Sequence, residues 1–228
     1  MKNLFMSFLL LIFSSIIMAE NIDPFEGFNR VIFEFNQTLD ENIFEPVAKV
    51  YKGFLPKTIQ NRVSDFFSNL DDMSTLGNEI LQFKLFDSVN TFGRILVNST
   101  IGLVGLFDVA SDIWMEKTDE DFGQTMAVWG IPSGPYIVLP ILGPSSIRDS
   151  VGTYINITEN VNVNKWLNAA EGTTLLLIRT VDTRVKLLPI IDLLKNSDDI
   201  YIATRSSFLQ KRRFDIFDGN PPIEYDDF

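Results

Sequence analysis

Apolar residues recur every three or four positions along residues 28–44, and polar residues fill the opposite side of the same turns. The apolar stripe contains Phe28, Val31, Ile32, Phe35, Leu39 and Ile43. The polar side contains Asn29, Arg30, Asn36, Gln37 and Asp40. This period predicts an amphipathic helix with one apolar face. Pro46 then predicts the end of the helix, because proline lacks the backbone N–H that a helix interior requires.

Stripes of the same period predict helices over residues 58–70, about 76–83 and about 89–96. The run 101–107 contains two glycines, which allow either a helix connection or a turn in which backbones approach closely. Residues 116–121 read EKTDED and predict a solvated loop.

The C-terminal half continues the helical pattern. Residues 153–164 are polar and predict turns, and about 164–194 predict a long helix that Pro189 should kink or end. A last helix is predicted over about 198–214. Few segments show the alternation that strands require, so the predicted fold class is all-α.

One segment departs from the helical pattern, because glycine and proline interrupt it repeatedly. Residues 121–149 read DFGQTMAVWGIPSGPYIVLPILGPSSIRD. The prolines of this segment are Pro132, Pro135, Pro140 and Pro144. They exclude one continuous helix and a central strand. The sequence therefore predicts a rigid, apolar and irregular segment.

The chain start resembles a targeting segment rather than part of the fold. Lys2 precedes an apolar run from Leu4 to Met18, and the small residue Ala19 follows. This arrangement predicts a secretory signal peptide, since the run is too short for a membrane-spanning helix. The predicted organisation is a signal peptide at 1–19, a helical domain at 20–218 and an acidic flexible tail at 219–228.

Composition narrows the possible partners. The formal net charge of −11 argues against nucleic acid, which needs a basic face. The chain has 20 Phe but 3 Trp and 5 Tyr. Phenylalanine is large and has no polar group, so this composition suits either an apolar core or a surface that meets lipid.

The sequence contains no histidine and no cysteine, which excludes a Ser-His-Asp triad, a Cys-His pair and the common zinc sites. We therefore predict a protein that is not an enzyme and that uses no cofactor or metal. Adjacent aspartates such as Asp71 and Asp72 are interpreted as helix caps or solvated groups.

The sequence allows more than one role for the basic run at 211–213 and for Arg148. Residues 211–213 read KRR and suit either a helix C-terminus or contact with an acidic patch or a phosphate. Arg148 is expected to form a local ion pair or cap with Asp149 after Ser145 and Ser146, with lipid headgroup contact as the alternative.

A series of short motifs occurs in a fixed order between residues 23 and 217. They are DPFEGFNR at 23–30, FEFN at 33–36, FFSNL at 66–70, RILVNSTIG at 94–102, GLFDVA at 105–110, the 121–149 segment and SDDIY at 197–201. Together they resemble the MlaA (VacJ) family of outer-membrane phospholipid-asymmetry proteins. The resemblance covers nearly the whole predicted mature chain.

The resemblance implies a ring-like bundle of amphipathic helices that lies in the inner leaflet of the outer membrane. Such a ring encloses an amphipathic channel beside a trimeric porin and passes phospholipid to a periplasmic carrier protein. Members of the family are typically anchored through an acylated cysteine at the signal-peptide cut. This chain has Met18-Ala19-Glu20 there, so we expect no lipidation at cysteine. The folded body then holds the protein at the membrane, or the cut releases a periplasmic form.

The resemblance also suggests roles for individual residues. The residues expected at the channel or its rim are Asn36, Trp129, Gly130, Pro132, Gly134, Pro135 and Arg148. Those expected to face the membrane are Phe28, Val31, Ile32, Phe35 and Leu39. The implied function is a non-enzymatic phospholipid conduit that maintains lipid asymmetry. The alternatives are a soluble periplasmic lipid-binding module and, less favoured, a lipid hydrolase that works without histidine.

Overall fold

The structure of the chain is a computed structural model that describes residues 22–160 and 169–222. The predicted signal peptide, Trp166 in the predicted long helix and the end of the acidic tail lie outside the described residues. Within these residues, none of the helices combines the length and the apolar character needed to cross a bilayer.

The first helical segment is longer than the sequence predicted. Helix α1 spans Glu26–Leu39, a π-helical turn spans Asp40–Phe44, and helix α2 spans Glu45–Phe54. The expectation that Pro46 ends the helix is wrong. Pro46 lies in the first turn of α2, where a backbone N–H has no helical partner, so the proline is tolerated there.

Helices α3 and α4 form an antiparallel hairpin. Helix α3 spans Lys57–Leu81 and α4 spans Leu85–Thr100. Early residues of α3 meet late residues of α4, as Asn69 shows by donating to Ser99 Oγ at 3.3 Å. The prediction of two separate helices over 58–70 and 76–83 is wrong. Their apolar stripe is interrupted by polar residues that the hairpin buries, and the sequence pattern treats such an interruption as a break.

Short elements connect this hairpin to the second half. Residues 101–107 form turns, followed by a short helix α5 at Val109–Asp112 and helix α6 at Phe122–Val128. The Asp108 side chain accepts from the Ser111 N–H at the start of α5, and the Asp121 side chain accepts from the Gln124 N–H at the start of α6. These caps satisfy backbone donors that each helix start leaves free.

The glycine- and proline-rich segment contains a regular hairpin, so the expectation of a wholly irregular segment is wrong. Strand β1 spans Tyr136–Leu139 and pairs antiparallel with β2 at Gly143–Ser146. Pro144 lies opposite Val138 within β2. A two-stranded sheet has only edge strands, which tolerate a residue that cannot donate to the ladder.

Three helices complete the fold. Helix α7 spans Ile147–Asn160, α8 spans Ala169–Leu194 and α9 spans Ile200–Ile216. The expectation of turns from residue 153 is therefore wrong as far as residue 160. Pro189 lies inside α8 and does not end it.

The hydrophobic core is small and centres on the hairpin. Tyr136 and Val138 of β1 and Tyr201 of α9 are buried together, and Ile32 and Phe33 of α1 pack against them. Asp199 caps α9 by accepting from two backbone N–H groups, which fixes the orientation in which Tyr201 enters this core. The hairpin is thereby held between the first and last helices.

Candidate functional site

The distribution of polarity is inverted relative to a water-soluble domain. Among the described residues, the buried set contains 8 hydrophobic side chains and 22 polar or charged ones, while 42 large hydrophobic residues are exposed. Soluble proteins bury apolar side chains, and their exposed hydrophobic residues are usually scattered. The polar interior and apolar exterior of the described residues are therefore the reverse of the distribution that a water-soluble domain shows.

Strained turns carry some of the most exposed apolar residues. Large hydrophobic residues occupy five of the six left-handed non-glycine positions in the described chain: Phe83, Leu103, Val104, Trp114 and Ile141. Phe83 is 84% exposed and Trp114 is 93% exposed. Glycine or asparagine favours such backbone angles, and a β-branched residue like Val104 rarely adopts them. These turns present apolar side chains outward at a cost in backbone strain.

A buried ion network holds α3, α4 and the following loop together. Arg94 is 1% exposed, and its Nη2 donates to Asp108 Oδ1 at 3.1 Å while its Nη1 donates to the Met115 carbonyl at 2.6 Å. Its Nε lies 3.5 Å from Asp72 Oδ2, and Asp72 also pairs with Lys117. Asp72 is buried, so its interpretation as a solvated group or a cap is wrong.

The segment 116–121 extends this polar interior. Glu79 of α3 is fully buried and accepts from Thr118 Oγ1 at 2.6 Å. Burial raises the pKa of Glu79, although hydrogen bonds oppose that rise. Glu120 is buried as well and accepts from Lys84 Nζ at 2.6 Å. The expectation of a solvated loop is therefore wrong for the residues that turn inward.

Two asparagines of α1 tie the helix to the hairpin. The Oδ1 atom of Asn29 accepts from Val138 N at 2.9 Å, and its Nδ2 donates to a β1 carbonyl at 3.1 Å. Two helical turns later, Asn36 Nδ2 donates to the Leu139 carbonyl at 2.8 Å and its Oδ1 accepts from Ile141 N at 2.7 Å. Each amide thus satisfies one donor and one acceptor of an edge strand.

A second ion network joins α6, α7 and α9. Arg212 Nη1 donates to Asp121 Oδ2 at 2.6 Å, and Arg212 Nη2 donates to Asp149 Oδ1 at 2.8 Å. Arg148 Nε donates to the same Asp149 oxygen at 3.0 Å, which confirms the predicted local ion pair. A side chain at Gly123 would collide with Arg212 Nη2 at 2.2 Å. Arg212 is therefore mostly enclosed and links helices, rather than carrying free charge at a helix terminus.

This network predicts a pH-dependent contribution to stability. Burial acts to raise the pKa of Asp121, but the hydrogen bonds and charge of Arg212 lower that pKa below the usual aspartate range. A carboxyl with a lowered folded pKa stabilises above the unfolded value of about 4, and this stabilisation is lost as pH falls through the folded value. The free-energy difference between wild type and Asp121→Asn should therefore shrink between about pH 5 and about pH 3.

Urea unfolding at several pH values measures this difference. The matched control is Asp119→Asn, because the Asp119 side chain is 80% exposed and pairs only loosely with Lys117 at 3.5 Å. Its difference from wild type should stay small throughout. A constant difference for Asp121→Asn across this range would contradict the coupling of Asp121 to Arg212.

A cavity of about 470 Å³ lies between α1, the π-helical turn, the tip of the hairpin, α8 and α9. Its walls are largely apolar, with Phe33 and Leu39 on one side and Leu187 and Ile191 on the other. The volume is in the range of pockets that hold organic ligands. The arrangement can accommodate an elongated apolar group.

Charged side chains also line this cavity. Arg179, Arg184, Lys195 and Asp40 all line it. Arg184 is 6% exposed and forms a bidentate pair with Asp40 through Nε at 2.5 Å and Nη2 at 2.7 Å. Lys195 Nζ donates to Glu45 Oε2 at 2.8 Å. The lining of the cavity is thus amphipathic, with mostly apolar residues and several charged ones.

The α1 residues expected at the site occupy three different surroundings. Asn36 and Leu39 line the cavity, and Ile32 packs against the hydrophobic core. The stripe residues that remain exposed are Phe28, Val31 and Phe35. The apolar stripe therefore does not face one environment, because β1 and α9 cover one side of α1.

The expected rim residues around the hairpin do not line this cavity. Trp129 is half exposed and its Nε1 donates to the Leu81 carbonyl at 3.1 Å. Gly130 and Gly134 have φ angles of 84° and 66°, which glycine adopts without strain. Arg148 is buried beside Asp149. Pro132 and Pro135 belong to the same connection before β1.

Sequence reasoning missed the cations of α8. Arg179 and Arg184 lie in the polar run RTVDTRVK at 179–186, between the apolar runs at 175–178 and 187–191, and this was the available signal. Charges on an apolar helix face indicate a polar partner or a ligand when they are enclosed. Within the part of the chain that the structure describes, no group of three His, Cys, Asp or Glu residues is placed to hold a metal ion.

Comparison with known proteins matches nearly the whole described chain. Residues 21–215 match the family model described as MlaA lipoprotein. An uncharacterized protein of Rickettsia prowazekii is 37% identical over 201 residues, which cover 85% of this chain and 77% of that protein. The Intermembrane phospholipid transport system lipoprotein MlaA of Escherichia coli strain K12 is 32% identical over 204 residues, which cover 84% of this chain and 77% of that protein.

A solved structure agrees with these sequence matches. It is described as the "Structural basis for maintenance of bacterial outer membrane lipid asymmetry" and superposes with a TM-score of 0.73 at 30% sequence identity. The superposition covers 87% of this chain and 99% of the other. The helical fold described above is therefore similar to that structure along almost its full length.

Proposed function

Because this chain belongs to the MlaA lipoprotein family, we propose that it is a non-enzymatic phospholipid conduit of the outer membrane. It removes phospholipid misplaced in the outer leaflet and passes it to a periplasmic carrier, which maintains lipid asymmetry. The names of the E. coli relative and of the similar structure support this general role.

The observation that carries the proposal is the inverted polarity of the helices. Apolar side chains on the exterior suit the hydrocarbon of one leaflet, where water is absent. Polar and charged side chains in the interior offer partners to a headgroup on its way through the protein. Moving an unpaired polar group into hydrocarbon costs about 2–7 kcal/mol, so a polar interior lowers the barrier that the headgroup would otherwise meet.

The proposed placement is the inner leaflet of the outer membrane, beside a trimeric porin and facing a periplasmic carrier. The resemblance to the family supports these partners. The exposed apolar turns at Phe83, Val104 and Trp114 support burial in lipid, since backbone strain that presents apolar side chains to water would bring no gain. The segment from Trp129 to Pro135 is proposed as a rigid rim beside the passage.

Complementation tests the proposed function. The chain is expressed in an E. coli strain that lacks its own 32% identical relative. The amount of phospholipid in the outer leaflet is measured with an amine reagent that does not cross the membrane. We expect surface phospholipid to fall to the level of the parent strain. Persistently high surface phospholipid, with the protein present in the outer-membrane fraction, would overturn the conduit.

Fractionation separates the conduit from a soluble lipid-binding module. After a high-salt wash, a conduit held by its apolar exterior stays with outer-membrane vesicles, because salt does not weaken apolar burial. A soluble module is recovered in the periplasmic fraction.

Asn36→Ala tests the link between α1 and the hairpin within this function. The substitution removes two hydrogen bonds to the hairpin and takes a polar group from the cavity wall. We expect a loss of about 1–3 kcal/mol in stability, unchanged membrane association and altered phospholipid transfer between vesicles. Asn42→Ala is the matched control, since Asn42 makes one exposed bond to the Thr38 carbonyl at 2.7 Å. Equal transfer by both variants would contradict a role for the Asn36 contact.

A further inference from the structure

Arg184, which lines the 470 Å³ cavity, has an incompletely satisfied guanidinium. Arg184 Nη1 is buried and has no hydrogen-bond partner among the described residues, whereas Nε and Nη2 both bond to Asp40. Buried polar groups normally have partners, and an unsatisfied one indicates a missing acceptor. The other cations on this wall, Arg179 and Lys195, pair with Asp71 at 2.6 Å and Glu45 at 2.8 Å.

We propose that this cavity binds a phosphodiester group, with Arg184 as the principal donor and Arg179 and Lys195 as flanking positive charges. The bound group is the headgroup phosphate of a phospholipid, whose tails lie along the apolar walls. The inference rests on the proposed conduit and adds to it a specific binding site for the headgroup on α8.

The geometry of arginine suits this role. Its planar guanidinium presents several N–H donors and binds phosphate oxygens in a fixed fork. Asp40 now occupies one edge of that fork, and the edge at Nη1 is left without an acceptor. The hydrogen bonds that Arg184 donates to Asp40 raise the pKa of Arg184, so the donor stays charged across the physiological range.

Asp40 acts in this site as a competitor of the phosphate. Both Asp40 oxygens accept from Arg184, and Asp40 itself lines the cavity. An entering phosphate shares Arg184 with this carboxylate and is repelled by its negative charge. This competition lets the headgroup bind and still leave, which a conduit requires. The two substitutions Arg184→Gln and Asp40→Asn should therefore change phospholipid affinity in opposite directions.

The test measures binding of two fluorescent lipids to the full chain in detergent micelles. One probe is a phosphatidylethanolamine, and the other is a diacylglycerol with the same tails and no phosphate. We expect Arg184→Gln to weaken binding of the phospholipid about tenfold and to leave the diacylglycerol unchanged. Asp40→Asn should tighten binding of the phospholipid several-fold. Lys211→Gln is the control and should change neither, because Lys211 is exposed and pairs with Asp215 away from the cavity lining.

A purely structural role would give a different pattern. It predicts that Arg184→Gln and Asp40→Asn weaken both lipids together, and that result overturns the site. The double variant Arg184→Gln/Asp40→Asn leaves no unpaired partner of the bidentate pair and should bind phospholipid as weakly as Arg184→Gln alone. If Arg184→Gln does not fold, the Asp40→Asn measurement decides: no gain in phospholipid affinity overturns the site.

A free phosphate ligand is distinguished by competition. Inorganic phosphate at millimolar concentration should not displace the phospholipid from the wild-type protein. Displacement that disappears in the double variant would overturn the lipid as the source of the phosphate. Failure of the wild type to bind either lipid would overturn the conduit together with the site, whereas equal binding of both lipids by all variants would overturn the site alone.

Discussion

Replacing Arg94 by methionine is expected to lower the free energy of unfolding by about 3–5 kcal/mol. Arg94 is 1% exposed and lies among Asp72, Asp108 and the Met115 carbonyl. Methionine fills similar space but removes one of the two cations beside the buried Asp72 and the donors to Asp108 and the Met115 carbonyl. Removing one partner of a buried pair costs far more than the pair contributes, because the remaining charge stays desolvated.

Thermal or denaturant unfolding of the purified protein in detergent measures this loss. Lys211→Gln is the control, since Lys211 is 75% exposed and pairs with Asp215 on the surface of α9. Such exposed pairs contribute about 0–1 kcal/mol. A loss of less than 1 kcal/mol for Arg94→Met would show that the polar interior tolerates the loss of the arginine, and it would contradict the network as the support of the α3–α4 hairpin.

Replacing Phe35 by aspartate is expected to release the protein from the membrane fraction. Phe35 is 52% exposed on α1, in line with Phe28 and Val31. If this face meets hydrocarbon, the new charge costs about 2–4 kcal/mol, by analogy with insertion scales. That cost corresponds to a loss of roughly 30-fold to 1000-fold in the membrane partition coefficient.

Vesicle flotation of the purified variants measures the partition. Phe35→Leu keeps an apolar side chain and should bind as the wild type does. Glu34→Gln removes a charge from the neighbouring exposed position and should have no effect. Unchanged membrane association of Phe35→Asp, with normal lipid transfer, would mean that this face of α1 does not lie in lipid.

Local patterns predicted the elements better than their boundaries. The period of apolar residues identified α1 and α4, whose stripes are continuous. It divided α3 into two helices because Asp72 and Thr75 interrupt the stripe. Both side chains are buried, so the true interior face of α3 is polar and a search for apolar periodicity could not find it.

The prolines of the glycine- and proline-rich segment were interpreted correctly as excluding a central strand, whereas Pro46 was interpreted wrongly as the end of a helix. Pro46 lies in the first turn of α2, Pro144 lies in an edge strand and Pro189 lies inside α8. In the first two positions the missing N–H has no partner to lose. Whether a proline occupies such a position depends on which strands and helices are neighbours, and the local sequence does not specify this.

The residues of the candidate site were also only partly predictable from the sequence. Asn36 was expected from the sequence and lines the cavity, whereas Arg179, Arg184 and Lys195 were not expected. They come from α8 and the residue after it, more than 130 positions from Asn36 along the chain. Side chains so distant in sequence meet only because α8 packs beside α1 and the π-helical turn.

The sequence by itself determined the helical class, the absence of histidine and cysteine chemistry, and the family through the order of its motifs. Only the tertiary structure decided which side of each amphipathic helix faces inward. Periodicity defines two faces of a helix but does not orient them, because the same stripe can pack on a core or contact lipid. Orientation follows from long-range contacts such as Arg94 with Asp108, Asn36 with the hairpin and Arg212 with Asp149. These contacts bury the polar faces and leave the apolar ones outside.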